Sequence, residues 1–358
     1  MSLVCESRRR PFPALAASVL FLNLTALPLF AQAPLAVGRL VARPGQSVSG
    51  FLDVPAGVDE GTQIPISLIN GSRPGPTLAL IAGVHGYEYP PITALQNIRA
   101  ELSPRELSGQ VIIVHVANLP SFLGRTIYYS PIDGKNLNRV YPGSADGTVS
   151  DRIAHVITTE IIARADFVVD MHGGDGNEAL RPYCYWMQTG NRSLDEAARR
   201  LVIAFGLDHI VIDPDRPGDP NRSLYTANTA LTRGKPAITT ETGQLGSNDA
   251  HWVAMAERGV WNVLRHLEMV TGEPEDPPAV VWLEGYEVLR SEVTGIFRAT
   301  VRDGYVVAEG ALLGTLHDFF GRQVGQVRAP FAGVVNYVID TPPISAGEPV
   351  AMISRIRP

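Results

Sequence analysis

Short apolar segments that run into glycine-bounded loops are the feature that most constrains the fold of this chain. They lie at residues 77–82, 111–118, 165–173, 209–212 and 236–243, and stretches with helical spacing separate them, near residues 92–102, 151–163, 194–205 and 249–269. Continuous apolar runs of this length are typical of strands buried on both faces, and their alternation with helices indicates a parallel or mixed sheet. The sequence therefore predicts an α/β fold whose sheet is flanked by helices.

The character of the chain changes at the segment EPEDPPA, residues 273–279. Beyond this proline-rich linker, short β-rich runs are separated by glycines, which is typical of a small all-β domain. We expect a catalytic domain over residues 34–278 and a β-rich accessory domain over residues 279–358.

The N-terminus has the pattern of an export signal. Three arginines at positions 8–10 precede an apolar run over residues 15–30, and Ala-Gln-Ala follows at 31–33. A basic segment, an apolar segment and a small-x-small site in this order predict a secretory signal peptide over residues 1–33. A membrane anchor is the alternative, but Asn23, Thr25 and Pro28 interrupt the run, which is shorter than the roughly 20 residues a bilayer requires. We expect a secreted or periplasmic protein with no stable membrane anchor.

The charge and cysteine content exclude two classes of protein. Thirty basic residues against 36 acidic ones give a net charge of −6, and no dense lysine or arginine stripe is present. Nucleic-acid binding requires clustered positive charge, so we expect no nucleic-acid partner. The two cysteines, Cys5 and Cys184, exclude a disulfide-rich scaffold, and we expect Cys184 to be a small buried residue.

Three side chains at segment ends have the types and positions of metal ligands. His85 and Glu88 follow the first apolar segment, and His172 ends the segment at residues 165–173. Two imidazoles and one carboxylate form a zinc set that leaves a fourth position open, as catalytic sites require. The alternative is structural, with His85 capping a helix and His172 buried in the core.

Two acidic residues accompany this set. Asp170 precedes His172 by two positions, so strand alternation places both side chains on one face; it either orients His172 or caps a loop. Glu241 lies where another apolar segment runs into glycine, and it is the candidate to move protons during metal-assisted hydrolysis. The alternative is that Glu241 is only a solvated loop residue.

A long central loop contributes polar side chains. Asn138 and Arg139 together offer donors suited to a substrate carboxylate, and Arg125 could stabilise an oxyanion. The alternative is that the segment NLNR only ties the loop together through backbone hydrogen bonds. His115 lies within an apolar segment and reads as a core histidine; His155, His209, His251, His266 and His317 lack partner motifs and read as structural.

Four motifs in order resemble the succinylglutamate desuccinylase/aspartoacylase family, deacylase relatives of the zinc carboxypeptidases. They are GxHGxE at 83–88, DGxNLNRxYPG at 133–143, DxH at 170–172 and TETG at 240–243, and the resemblance spans roughly residues 60–270. It implies a carboxypeptidase-like α/β fold with one zinc ion. The implied roles are metal ligands for His85, Glu88 and His172, general base for Glu241, carboxylate binding for Asn138 and Arg139, and carbonyl polarisation for Arg125.

The chain departs from the family pattern in two places. Tyr87 occupies a position where the family usually has Asn or Asp, and the interval between Arg125 and Arg139 is longer than in the aspartoacylase branch. The C-terminal segment resembles the family's accessory domain and has a lipoyl-like APFAGVV…GEPV pattern. No lysine occurs between residues 280 and 358, which excludes a lipoylated or biotinylated carrier.

These observations predict an exported zinc hydrolase that cleaves the amide bond of an N-acyl amino acid or a similar small acylated amine. One alternative is a metallocarboxypeptidase that trims peptides, which uses the same catalytic residues with a different pocket depth. Another is an inactive protein that binds zinc or an acylated metabolite. The expected partner is a small acylated amino acid or a short peptide, and a homo-oligomer is compatible with the sequence.

Overall fold

The computed structural model describes residues 1–3 and 32–358. The basic patch and apolar run of the predicted signal peptide lie outside the described residues. Among those that are described, no helix combines the length and the apolar character that a membrane span needs.

The first 250 described residues alternate strands and helices. The strands are β1 (Leu35–Val37), β2 (Leu40–Ala42), β3 (Gln46–Val54), β4 (Thr62–Asn70), β5 (Arg73–Ala82), β6 (Ser108–Val114), β7 (Phe167–His172), β8 (Glu178–Leu180), β9 (Tyr183–Met187), β10 (His209–Asp213) and β11 (Ala237–Glu241). The helices are α1 (Tyr89–Glu101), α2 (Leu119–Gly124), α3 (Val149–Val156), α4 (Arg192–Phe205), α5 (Thr226–Leu231) and α6 (Ala250–His266). The helix expected over residues 151–163 is broken, because α3 passes into a π-helical turn (Ile157–Ile161) and a 3-10 turn (Ile162–Arg164).

A large mixed sheet organises the molecule. Within residues 32–358 it has 13 strands, in the order β14-β17-β19-β12-β10-β9-β11-β7-β5-β6-β4-β3, with β8 paired to β17; the strands after β11 are defined below. Its centre is parallel, since β7 pairs in parallel with both β5 and β11. Carboxyl ends of parallel neighbours meet at one edge of a sheet, which is where ligands bind in such folds. The predicted α/β fold with a mixed sheet flanked by helices is confirmed.

Strand β5 is apolar throughout because it is covered on both faces. Ala79 and Ile81 are buried in a cluster that includes α3, whereas Leu78 and Leu80 are buried in a second cluster formed with α1 and α6. Residues two apart point to the same face of a sheet, so each cluster takes alternate residues of the strand. Removal of these side chains from water on both faces fixes the strand that carries the site.

The C-terminal region is all β, as expected. Its strands are β12 (Val281–Arg290), β13 (Gly295–Ala299), β14 (Val306–Val307), β15 (Leu312–His317), β16 (Gln323–Arg328), β17 (Gly333–Ile339), β18 (Pro343–Ile344) and β19 (Pro349–Ile356). A four-stranded sheet of order β16-β15-β13-β18 forms one part. The other part extends the large sheet, because β12 pairs in parallel with β10 and antiparallel with β19. The domain boundary at residues 278/279 stays a prediction.

Candidate active site

The predicted metal ligands lie at the carboxyl ends of two neighbouring parallel strands. After β5, Gly83 has a φ of 70° and turns the chain into the loop that carries His85. Glu88 is the N-cap residue of α1, with Pro90 among its first residues, as the sequence predicted. The carboxylate of Glu88 makes no capping hydrogen bond to the helix, so it is free to face the histidines.

His85, Glu88 and His172 form one compact cluster. Each offers a ligand atom, and the three atoms lie within 4.8 Å of one another. The Nδ1 atom of His85 lies 2.7 Å from Glu88 Oε1, and His172 Nδ1 lies 2.9 Å from Glu88 Oε2. Because the side chains are almost completely buried and present two imidazole nitrogens and a carboxylate to one point, they can hold a metal ion.

The three side chains of the cluster shift one another's pKa values. Burial opposes ionisation of Glu88, but the charges of His172 and His85 outweigh it and lower the Glu88 pKa to about 2. Burial also opposes protonation of both histidines. The negative charge of Glu88 outweighs the effect of burial at His85, and the charges of Glu88 and Asp170 together outweigh it at His172. The pKa values of both imidazoles are therefore raised.

Each histidine has an oxygen atom at its second ring nitrogen. Asp170 Oδ2 lies 3.2 Å from His172 Nε2, and Asn136 Oδ1 lies 3.2 Å from His85 Nε2. The Asn136 oxygen accepts a proton held on His85 Nε2 and leaves Nδ1 of His85 to face the cluster. Asp170 therefore contacts His172 as strand alternation predicted, whereas the contact of Asn136 was not foreseen.

Glu241 is the last residue of β11 and lies opposite His172, the last residue of β7. It remains partly accessible from the same cavity. Loss of hydration raises its pKa well above the usual range; the nearby negative charges of Glu88, Glu178 and Asp170 add to this, and His172 opposes it. A buried carboxyl group with a raised pKa is a stronger base than an ordinary carboxylate, which is a property that proton transfer requires.

The turn Leu137–Arg139 brings Asn138 to the same site. Asn136 caps this turn by accepting a hydrogen bond from the Asn138 amide at 2.8 Å. The Asn138 side chain accepts a bond from the backbone amide of Thr226 at 2.9 Å, and its Nδ2 lies 3.5 Å from His172 Nε2. Arg139 is exposed to the cavity, with its guanidinium 4.8 Å from the Tyr225 ring.

Arg125 lies elsewhere. It ends α2 in a left-handed conformation, with φ at 52°, and its side chain is exposed. It is not one of the described residues that line the cavity around the cluster. Its role in polarising the carbonyl stays a prediction.

The cavity above the cluster has a volume of about 520 Å³. Six residues of the predicted set line it, namely His85, Glu88, Asn138, Arg139, His172 and Glu241. Lining residues that sequence reasoning missed are Tyr128, Lys135, Glu178, Tyr183, Tyr185, Arg216, Tyr225, Val288, Arg290, Tyr337, Pro349 and Met352. The last five of these belong to the C-terminal β region, which therefore forms one wall of the cavity.

The carboxyl group of Glu178 also lines the cavity. The Tyr128 hydroxyl donates a hydrogen bond to Glu178 Oε1 at 2.8 Å, and Glu178 Oε2 accepts the Asp175 amide at 3.1 Å. Burial, followed by the charge of Asp175, raises the Glu178 pKa to about 7. The cavity thus has an acidic patch at Glu178 and basic groups at Arg139 and Arg216.

Comparison with known proteins identifies the family of this chain. The model of the succinylglutamate desuccinylase/aspartoacylase catalytic domain matches residues 74–267, more than half of the chain and all of the cluster. The chain belongs to the succinylglutamate desuccinylase/aspartoacylase family. The family resemblance inferred from the four motifs is therefore confirmed.

Individual family members are similar over almost their full length. An N-alpha-acetyl-L-2,4-diaminobutyric acid deacetylase from Halomonas elongata is 31% identical over 319 residues, covering 86% of this chain and 91% of the relative. The product-bound ectoine utilization protein EutE (DoeB) from Ruegeria pomeroyi is 30% identical with a TM-score of 0.79, covering 90% and 99%. A succinylglutamate desuccinylase from Silicibacter sp. TM1040 is 28% identical with a TM-score of 0.78, covering 88% and 97%. These similarities support a hydrolase of an acylated amino acid that acts on an amide bond outside peptides.

Proposed function

We propose that this chain is an exported, zinc-dependent hydrolase that cleaves the amide bond of an N-acyl amino acid. The observation that carries the proposal is the convergence of His85, Glu88 and His172 in one cavity with Glu241. Buried acid–base groups with shifted pKa values beside a possible metal cluster are typical of catalytic centres.

The donor set fits zinc. Two imidazoles and one carboxylate, with Asp170 and Asn136 behind the imidazoles, form the combination that catalytic zinc sites use. When bound, zinc would act as a Lewis acid on the acyl carbonyl and make water a stronger acid.

Glu241 supplies the proton transfers. Its raised pKa makes it a stronger base than an ordinary carboxylate, and it accepts a proton from the attacking water. The water oxygen adds to the acyl carbon, the carbon–nitrogen bond breaks, and Glu241 returns the proton to the departing nitrogen. The products are a carboxylate and a free amine.

Asn138 and Arg139 hold the carboxylate of the amino acid. The Asn138 amide and the Arg139 guanidinium are both donors that line the cavity, and Arg139 projects from a turn that several hydrogen bonds stabilise. A cavity of about 520 Å³ suits a small molecule better than a polypeptide.

The acidic patch at Glu178 favours a substrate that carries a free ammonium group in addition to its acylated nitrogen. An acylated diamino acid has this charge distribution, with a carboxylate for Arg139 and an ammonium group for Glu178. The activity named for the Halomonas elongata relative is of the same class, so we take N-alpha-acetyl-L-2,4-diaminobutyrate as the first test substrate.

The test is a mass-spectrometric hydrolysis screen of the zinc-loaded protein. N-acyl amino acids and short peptides are compared, and Glu241→Gln is the control. Release of amine from the acylated amino acids, lost in the variant, is the expected result. Trimming of peptides with acyl amino acids left intact would replace the proposal with a carboxypeptidase. Zinc and ligand binding without turnover in either class would indicate an inactive binding protein.

Export is the second part of the proposal, and it depends on the signal pattern in residues 1–33. Expression in a Gram-negative host followed by cell fractionation tests it. We expect a periplasmic protein whose N-terminal sequence starts at residue 34. A cytoplasmic protein that retains residues 1–33 would contradict it.

A further inference from the structure

The side-chain oxygen of Asn136 connects His85, one of the proposed metal ligands, to the turn that carries Asn138 and Arg139. Asn136 Oδ1 lies 3.2 Å from His85 Nε2 and accepts the backbone N–H of Asn138 at 2.8 Å. A carbonyl oxygen has two lone pairs, so it can accept both hydrogen bonds at once. Because the Asn138 amide can only donate, the atom it contacts is the oxygen of Asn136, and His85 must also donate to it.

We propose that Asn136 is a positioning residue that couples occupation of the metal site to the order of the turn Leu137–Arg139. A proton held on His85 Nε2 leaves Nδ1 as the ligand atom, so Asn136 selects the tautomer that binds metal. The same oxygen caps the turn. Binding of the metal immobilises His85, which in turn holds Asn136 in the position that orders Asn138 and Arg139.

The far side of the turn is anchored independently. Asn138 Oδ1 accepts the backbone N–H of Thr226, and Arg139 donates to the Asn138 carbonyl oxygen at 2.6 Å. Asn136 is therefore the side chain that joins this anchored turn to a metal ligand on the β5 side of the cluster. The inference depends on the metal site of the proposed function, but not on its substrate.

Two measurements without substrate test the coupling. Zinc affinity is measured by competition with a chromophoric chelator for wild type, Asn136→Leu and Asn136→Asp. Leucine has a similar shape but accepts no hydrogen bond, so we expect affinity to fall about 10–100-fold. Aspartate keeps an acceptor oxygen, and we expect it to restore most of the affinity.

The second measurement is hydrogen–deuterium exchange in a peptide covering residues 137–140. In wild type we expect zinc to slow exchange there about 5-fold or more, the usual lower range of coupling between sites, and in Asn136→Leu to have no such effect. Asn262→Leu is the matched control, since Asn262 is also buried and its side-chain oxygen also accepts a backbone N–H, that of Glu275, outside the residues that line the cavity. It should lower thermal stability without changing zinc affinity.

Wild-type zinc affinity in Asn136→Leu, or zinc protection of residues 137–140 that survives in this variant, would overturn the coupling. If Asn136→Leu does not fold, Asn136→Asp decides, because the proposal requires near-wild-type affinity and protection there. Failure of the hydrolysis screen alone would refute the proposed substrate and leave these binding results valid.

Discussion

Glu241 and His172 lie directly opposite each other at the ends of two parallel strands, β11 and β7. Neighbouring strands are about 4.8 Å apart, so backbone pairing itself places the proposed base next to a proposed metal ligand. Neither residue depends on a flexible loop for its position. The ladder of hydrogen bonds that builds the sheet thus also sets the geometry of proton transfer.

Replacement of Glu241 by glutamine should abolish turnover while leaving the site intact. We expect kcat to fall at least about 100-fold, since an amide cannot accept the proton that general-base catalysis requires. Zinc content should stay the same, because Glu241 is not in the metal-binding cluster. Steady-state kinetics with metal analysis on the same sample checks this; a kcat within tenfold of wild type would disprove the role of Glu241.

Zinc binding should release protons and strengthen as pH rises. His85 and His172 have raised pKa values in the metal-free protein, so they keep their protons to higher pH than ordinary histidines, and these protons must leave before the nitrogens bind metal. Lowering the pH keeps them protonated and weakens binding. Calorimetric titration in buffers of different ionisation enthalpy measures the number released, and a value of zero at pH 7 would contradict the expectation.

Glu178 should discriminate between charged and uncharged substrates. N-acetyl-L-norvaline has the shape of N-alpha-acetyl-L-2,4-diaminobutyrate without its free ammonium group. For Glu178→Gln we expect kcat/KM to fall roughly tenfold for the charged substrate, as loss of a charge-assisted hydrogen bond implies, with little change for the norvaline derivative. Glu101→Gln, at an exposed position outside the cavity, is the control. Equal losses for both substrates would exclude recognition of charge.

His115 should make the protein less stable at mildly acidic pH. Burial, together with the charge of Arg99, lowers its pKa to about 4, and its Nε2 lies 2.8 Å from the Ser67 hydroxyl. The unfolded chain has an ordinary histidine pKa of about 6.5, so it takes up a proton first as pH falls from 6.5 to 4. The free energy of unfolding therefore decreases across this range.

His115→Gln removes this contribution. Denaturant unfolding at pH 7 and pH 5 should show a smaller decrease in the variant than in wild type. An identical decrease in the two proteins would show that His115 titrates normally. Because His115 is not among the residues that line the cavity, catalysis at pH 7 should not change.

Motifs with a local signal were predictable from sequence. His172 and Glu241 end apolar strands, and His85 and Glu88 follow one. Their convergence therefore follows from the rule that ligands bind at the carboxyl ends of parallel strands. Asn136 belongs to a motif that the sequence already showed, so a role at the site could have been predicted for it. Its contact with His85 could not, because that depends on how the loop folds back.

Other features depend on long-range packing that periodicity does not encode. The antiparallel pairing of β9 with β11 is decided by neighbours in the sheet, and an apolar segment reads the same in either direction. Glu178 and Tyr128 are 50 residues apart and meet only in the folded chain. The π-helical turn after α3 interrupts an amphipathic pattern that continues unbroken in the sequence.

Strands β12, β17 and β19 form a wall of the cavity that can change in sequence independently of the catalytic groups. Val288, Tyr337 and Met352 line the cavity, yet they lie beyond residue 267, where the match to the catalytic-domain model ends. Substitutions in this wall can reshape which acylated amines fit while every proton-transfer and metal-binding group is inherited unchanged. Relatives with the same four motifs can therefore differ in substrate while they keep the same catalytic groups.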